Sequence, residues 1–187
     1  TGLHALVDAV AAIEPAMDAR QTKAFAVATA RSIPAVRPRR QLLLDVTHTN
    51  QTDIRTGIQR VVRAIVLALL ESAPGDFRIE PVFLSSAGGG WHYRYARRFA
   101  LGLQDCPPGA LQEDVVDVAA GDLLVVLDLS GQNLVDADHA GLLSDLRRRG
   151  VGAYATIYDL LPMRIPERFP AGTQAGFEQW LMATARL

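Results

Sequence analysis

The sequence predicts an α/β fold in which crossover helices connect the strands of a parallel sheet. Short apolar runs at 41–46, 123–129 and 154–160 have the composition of strands that are buried on both faces. Segments with the three- and four-residue spacing of amphipathic helices lie between these runs. Strands that alternate with helices indicate parallel pairing, because two parallel strands need a long crossover connection.

Residues 1–40 are predicted to form an N-terminal helical segment that ends in a linker. Apolar residues from Leu3 to Met17 recur at helical spacing and predict one amphipathic helix, or two that are broken at Pro15. The stretch SIPAVRPRRQ (32–41) contains two prolines and three arginines, which is typical of a linker. The main domain is therefore predicted to cover residues 41–187.

The elements of the main domain have recognisable limits. Thr56 and Gln59 have the spacing of a capping box, and an apolar helix face follows them. Another helix is predicted from about Asp136, with arginines in its last turn and Gly150 at its end. Residues 78–85 are a weaker strand candidate, because Pro81 cannot donate a backbone hydrogen bond.

The composition is that of a folded, soluble domain. Apolar residues make up 49% of the 187 residues and charged residues 21%, which excludes a disordered chain. The net charge of -1 provides no overall field for nucleic acid or an anionic membrane. Cys106 is the one cysteine, so an internal disulfide framework is excluded and a reducing cytoplasm is expected.

Polar loops follow the predicted strands, and parallel sheets bind ligands in such loops. The loop at 47–57 is rich in hydrogen-bonding side chains, among them His48 and Asp53, and Gly57 stands at a helix start that favours anions. It suits a phosphate or a polyhydroxylated ligand. A solvated loop whose polar residues cap turns explains the pattern equally well.

Two further loops contain carboxylates. Asp128 ends an apolar run, where a carboxylate is costly unless it is paired, so a hydrogen-bonding or structural role is as well supported as catalysis. Tyr158 and Asp159 precede a segment that Pro162, Pro166 and Pro170 hold extended. Asp159 suits a general base or a ligand for a hydroxyl group; alternatively it fixes the turn.

Several other site types lack their sequence patterns. Neither a dinucleotide glycine fingerprint nor a phosphate-loop motif occurs. His48 and Asp53 lack the spacing of a typical metal site, which makes a shared metal a minority interpretation. The arginines at 94–98 lie among aromatic residues and could bind an anionic chain, but a solvated helix face is the simpler interpretation.

Three segments, LLLDVTHTNQTDIRTGIQRVVRAI, GDLLVVLDLSG and YDLLPMRIPERFPAGTQAGFEQWL, together resemble a known family. They are similar to motifs in the N-terminal half of the bacterial group 1 glycosyltransferases that assemble surface polysaccharides, including lipopolysaccharide. The resemblance covers residues 41–187 in the order of the family. Tyr158 stands where many members have His, which argues against a general-base role at that position.

The resemblance implies a GT-B fold, in which two Rossmann-like domains face a cleft. The first domain binds the acceptor and the second binds the nucleotide sugar, usually without a metal or other cofactor. The chain would then be the acceptor-side domain, truncated before its last elements, of a longer hexosyltransferase, and inactive alone. Asp159 is the implied catalytic residue. The implied substrate-binding residues are His48, Asp53, Thr56, Gly57, Arg60, Asp128 and Tyr158.

The implied partners are a nucleotide sugar, a saccharide or lipid-linked acceptor, and the C-terminal GT-B domain of the longer chain, but no nucleic acid. The expected location is the cytoplasm, with peripheral contact at the inner face of the membrane as an open alternative. A second hypothesis is a non-catalytic Rossmann-like interaction or scaffold module that uses the arginines at 94–98 and the N-terminal helix as its surface.

Overall fold

The computed structural model describes residues 9, 12, 18–32, 39–52, 54, 56–107, 109 and 111–187. The chain divides into two compact units, Thr1–Pro38 and Arg39–Leu187. In the first unit, helix α1 covers Ala19–Ser32, and Asp18 Oδ1 caps it by accepting a hydrogen bond from Gln21 N at 2.7 Å. Most of the helix predicted from Leu3 to Met17, and most of the predicted linker, lie outside the described residues.

The second unit contains a five-stranded, mostly parallel sheet, as the sequence predicts. The strands are β1 (Arg40–Asp45), β2 (Phe77–Ser85), β3 (His92–Tyr95), β4 (Leu123–Val126) and β5 (Gly152–Ala155). Their order in the sheet is β3-β2-β1-β4-β5, and only the edge strand β3 is antiparallel to its neighbour. Strand β1 is therefore central, and the Rossmann-like α/β fold is confirmed.

Helices and one 3-10 turn connect the strands. They are α2 (Thr47–Gln51), α3 (Gly57–Glu71), α4 (Arg97–Leu103), α5 (Gly131–His139), α6 (Leu142–Arg148), α7 (Leu161–Arg164), the 3-10 turn Pro166–Arg168, and α8 (Thr173–Thr184). The capping box at the start of α3 is confirmed: Gln59 N donates to Thr56 Oγ1 at 3.2 Å, and Thr56 N donates to Gln59 Oε1 at 3.3 Å. It fixes the point at which the polar loop ends.

Each face of the sheet carries its own hydrophobic cluster, because successive strand residues point to opposite faces. Leu43 belongs to a cluster with Leu134 of α5 and Trp180 of α8. Leu44, the next residue, belongs to a cluster with Val62 and Val66 of α3. The central strand is thus covered on both sides, which explains why its sequence is a continuous apolar run.

Buried polar groups hold both ends of β1. At its start, Gln41 N and Nε2 donate to Asp122 Oδ1 at 2.7 Å and Oδ2 at 2.9 Å, and Tyr95 OH donates to Gln41 Oε1 at 2.7 Å. At its other end, Tyr93 OH donates to Asp45 Oδ2 at 2.9 Å. Two tyrosines of the edge strand β3 therefore reach past β2 to the two ends of β1.

Some predicted element limits were wrong. The strand predicted at 154–160 is β5 at 152–155, because Val126 and Ala155 are the last pair between β4 and β5. The strand predicted at 123–129 ends at Val126, since the chain then turns, with Ser130 N donating to Asp128 O at 2.9 Å. The helix predicted from Asp136 begins earlier and is divided in two at Gly141, whose φ is +85°.

The weak candidate at 78–85 is a full strand, and the arginine-rich stretch is partly a strand rather than a helix face. Pro81 O accepts a hydrogen bond from Ala96 N, which follows β3, and Ala96 O accepts its own hydrogen bond from Ala100 N of α4. The missing N–H of Pro81 therefore costs no ladder hydrogen bond. Arg94 lies on β3 between two buried tyrosines, and it donates to Glu113 O.

Candidate functional site

Three polar loops come together at one edge of the sheet. Strands β1, β4 and β5 are parallel, so the loops that follow them leave from the same edge. Thr49 N donates to Asp128 Oδ2 at 2.5 Å, and Asn133 Nδ2 donates to Gln51 Oε1 at 3.1 Å, which joins the first loop to the second. Tyr158 OH donates to Leu127 O at 2.9 Å and joins the third loop to the second.

Asp45, at the end of β1, is the central polar group of this edge. It is fully buried, and its Oδ1 accepts hydrogen bonds from Thr47 N at 2.8 Å and Thr47 Oγ1 at 2.5 Å. Burial raises the pKa of Asp45 to about 6, although hydrogen bonds from Thr47 and Tyr93 oppose the shift; the nearby charge of Asp128 adds to it. The carboxyl therefore titrates near neutral pH.

Thr47 ties this carboxyl to the neighbouring strand. Its Oγ1 donates to Asp45 and also accepts a hydrogen bond from Leu84 N, in β2, at 2.9 Å. Burial and the adjacent Asp45 carboxyl raise the pKa of Tyr93 well above its usual value, so the phenol stays a proton donor. Helix α2 thus begins at a point that is fixed to β1, β2 and β3.

Asp128 is buried and its hydrogen bonds go to the backbone. Its Oδ1 accepts from Leu129 N at 2.8 Å, and its Oδ2 accepts from Thr49 N. This arrangement supports the hydrogen-bonding alternative that the sequence left open. The Thr49 and Ser130 hydroxyls are buried nearby and have no hydrogen-bond partner among the described residues.

The other predicted residues of the first loop lie at its surface. Thr56, Gly57 and Arg60 are exposed at the start of α3, and His48 is half-buried in α2. Asp53 lies outside the described residues. The loop therefore presents the start of α3 and a cationic side chain to solvent, which is compatible with an anionic ligand.

Tyr158 and Asp159 begin the third loop. Tyr158 is half-buried, and burial, together with the charge of Asp128, raises the pKa of its phenol. Asp159 is exposed, and its Oδ1 accepts a hydrogen bond from Leu161 N at 2.9 Å. Asp159 thus fixes the turn into α7, as one of the two alternatives predicts, while its carboxylate remains accessible to solvent.

A pocket of about 230 Å³ opens beside Asp159. Its other lining residues come from the ends of β4 and β5, from α3 and from the last helices: Ile58, Leu129, Thr156, Tyr158, Leu161, Pro162, Phe169, Phe177 and Trp180. This pocket has no distinctive signal in the sequence, because Phe177 and Trp180 have the spacing of an ordinary core helix. Asp45 is not among the predicted site residues, although a carboxylate at the end of an apolar strand is a usable signal.

Within the described part of the chain, no group of three or more His, Cys, Asp or Glu side chains is arranged to hold a metal ion. Across the same residues, no helix has both the length and the apolar character that crossing a bilayer requires.

Known proteins show sequence similarity to most of the chain. Over 147 residues, 78% of its length, the chain is 32% identical to a serotype-specific mannosyltransferase WbdA of Escherichia coli. Two further E. coli proteins of that name are 31% identical over 147 residues. No family model and no solved structure matches the chain.

The chain spans only 16% to 17% of the length of these curated relatives, so it corresponds to a part of them. The similarity extends over most of the second unit's length, which agrees with the span of the three motifs. The chain is therefore homologous to a segment of a mannosyltransferase, and the resemblance to bacterial glycosyltransferases that its motifs predict is confirmed.

Proposed function

We propose that the chain is the acceptor-side domain of a glycosyltransferase that moves a sugar from a nucleotide-sugar donor to a growing bacterial polysaccharide or lipid-linked glycan. The sugar is proposed to be a hexose, and mannose is the first candidate because the relatives are named mannosyltransferases. A GT-B arrangement, with a second domain that supplies most donor contacts, belongs to this proposal. So does a cytoplasmic location, at the inner face of the membrane.

The convergence of the three loops carries the proposal. The edge combines the exposed start of α3 and Arg60 with the exposed carboxylate of Asp159. An arginine beside a helix start can stabilise the negative oxygens of a phosphate group, and a carboxylate can accept a proton from an acceptor hydroxyl. When a sugar leaves a nucleotide phosphate for a hydroxyl, negative charge develops on the phosphate and the hydroxyl loses its proton, so each group has a role that it can fill.

The buried residues have a different role in this proposal. Asp128 holds the backbone of α2 through Thr49 N, and Asp45 holds its start through Thr47. They keep the loop with His48, Asp53, Thr56 and Gly57 in position for the substrate. Tyr158 joins the third loop to Leu127 O and so places Asp159.

The test is sugar transfer by a longer protein that contains this chain, assayed with a panel of nucleotide sugars. Arg60→Ala and Asp159→Asn are expected to lower kcat/KM at least about ten-fold, because each removes a charge that is proposed to act on the substrate. Arg98→Ala and Asp145→Asn are matched controls, since both residues lie on other helices: Arg98 is exposed on α4, and the Asp145 side chain is 48% exposed on α6.

Two results would refute the proposal. One is a longer protein that transfers no sugar; the other is full activity in both site variants. Either result would favour the interaction or scaffold module instead. The 187-residue chain alone is expected to be inactive, and activity of the longer protein is expected to survive EDTA, because the proposed mechanism uses no metal.

A further inference from the structure

The pocket beside Asp159 has an unusual lining for the edge of a polar site. Four aromatic side chains line it, from Tyr158, Phe169, Phe177 and Trp180. The Phe177 and Trp180 ring centroids are 5.4 Å apart with their planes at 33°, so these two rings support each other. Aliphatic side chains complete the wall, and Thr156 and Asp159 are the other polar residues in it.

The size of the pocket limits what it can hold. A cavity of about 150 Å³ can hold a benzene molecule, so 230 Å³ accommodates a single ring-sized group rather than an extended chain of rings. Part of the wall is accessible: Leu129 and Leu161 are 37% and 45% exposed, and Tyr158 and Phe169 are half-buried, whereas Phe177 and Trp180 are buried. Binding an apolar face here would remove this surface from water, which is favourable.

Two of the lining residues, Asp159 and Trp180, carry polar groups of the kind that bind the hydroxyl groups of a ring. Asp159 is exposed at the rim, beside the site of the proposed reaction. The Trp180 indole N–H is buried and has no hydrogen-bond acceptor among the described residues, whereas a buried indole N–H usually has one. A ligand oxygen would supply that acceptor. Because Nε1 is shielded from solvent, the indole or a neighbouring side chain must shift slightly for the contact to form.

We propose that this pocket binds one pyranose ring of the acceptor saccharide, with the apolar C–H face of the ring against the aromatic wall and a ring substituent oxygen on Trp180 Nε1–H. A pyranose has one face of C–H groups and an edge of hydroxyl groups, so it matches an aromatic wall with a carboxylate at its rim. The inference rests on the proposed function, because it identifies the ring as part of the acceptor.

The experiment uses the indole N–H as its reporter. The chain has two tryptophans, so its ¹⁵N-labelled form gives two indole signals, and Trp91→Phe assigns them. Methyl α-D-mannopyranoside is the probe, and cyclohexanol is an apolar control that has a similar ring with one oxygen. The mannoside is expected to move the Trp180 signal in a saturable way at millimolar concentrations, while cyclohexanol moves it less.

Variants separate the pocket from the rest of the surface. Phe169→Ala removes one aromatic wall at a half-buried position and is expected to weaken mannoside binding about five-fold. Tyr154→Ala removes an aromatic ring that is 61% exposed outside the pocket, and it is expected to change nothing. The pocket assignment is wrong if the Trp180 signal stays fixed, if cyclohexanol is the better ligand, or if Phe169→Ala binds normally.

The same variants distinguish this inference from the proposed function. If the longer protein transfers sugar and Phe169→Ala leaves KM for the acceptor unchanged, the pocket assignment fails and the glycosyltransferase stands. If no sugar is transferred but the Trp180 signal responds to the mannoside and loses this response in Phe169→Ala, the pocket binds a pyranose in a protein with another activity.

Discussion

At the scale of single residues, the Asp45 carboxyl shows how burial changes the pKa of a group at the candidate site. It is fully buried, yet each oxygen accepts at least one hydrogen bond, from Thr47 or Tyr93. These donors stabilise the ionised form, and desolvation outweighs them, so the pKa is raised to about 6 from 3.8. The folded protein therefore prefers the protonated carboxyl more strongly than the unfolded chain does.

Asp45 should make stability decrease as the pH rises from 4 to 7. Between the unfolded and folded pKa values the folded state binds the additional proton, so the free energy of unfolding falls with rising pH by up to about 3 kcal/mol. Urea unfolding of the chain and of Asp45→Asn at several pH values measures the effect. Subtracting the Asp45→Asn free energies of unfolding from those of the chain removes the contribution of other titrating groups such as Glu80. Two profiles that run parallel with pH would contradict the expectation.

Thr47 should be needed for its hydroxyl group rather than for its shape. Thr47→Val keeps the volume but leaves Leu84 N without its acceptor and removes one donor from Asp45, at an expected cost of about 2–3 kcal/mol in the free energy of unfolding. Thr47→Ser keeps the hydroxyl and should cost clearly less. Urea unfolding of both variants measures the two losses, and equal losses would mean that the methyl group contributes as much as the hydroxyl group.

At the scale of elements, the turns between helices and strands depend on two glycines with positive φ. Gly141 separates α5 from α6 with φ +85°, and a Cβ there would meet nothing within 4 Å. Gly150 ends α6 with φ +80°, and a Cβ there would lie 3.0 Å from the Ala120 Cβ. The two positions share the backbone strain and differ in the available space.

Gly150→Ala should therefore be more destabilising than Gly141→Ala. Both substitutions force alanine into the left-handed region, at a cost of about 1 kcal/mol. The contact with Ala120 adds a packing penalty at Gly150 alone, so a further cost of about 1 kcal/mol is expected. Thermal or urea unfolding of the two variants measures this difference. Equal losses of stability would show that the backbone around Ala120 moves enough to relieve the contact.

At the scale of the whole molecule, the described core residues of the sheet unit form two hydrophobic clusters. Both hydrophobic clusters, from Leu43 to Ala183, lie within Arg39–Leu187. A protein that begins at Arg39 is therefore expected to keep the cooperative unfolding transition and the denaturant midpoint of the sheet unit. A loss of cooperativity in that shortened protein, followed by near-ultraviolet circular dichroism, would show that residues 1–38 are required.

The sequence predicted the alternation of strands and helices because the central strands are apolar on both faces and α3 has a complete capping box. It did not predict the limits of β5, since the apolar residues at 157–161 lie at a surface rather than in the sheet. The common position of the three loops at one edge could be predicted, because parallel strands end at the same edge of a sheet. The aromatic pocket and the tyrosine contacts could not be predicted, because they join residues distant in the chain.

The tyrosines of β3 also help to determine the register of β1 in the sheet. Gln41 and Asp45 lie four residues apart on β1, and Tyr95 and Tyr93 reach them across β2. If β1 slid by one residue, its side chains would change faces, and the buried amide and carboxyl would lose their partners. Strand β3 does not pair with β1, yet its two tyrosines thus select a single register for the central strand over the slipped alternatives.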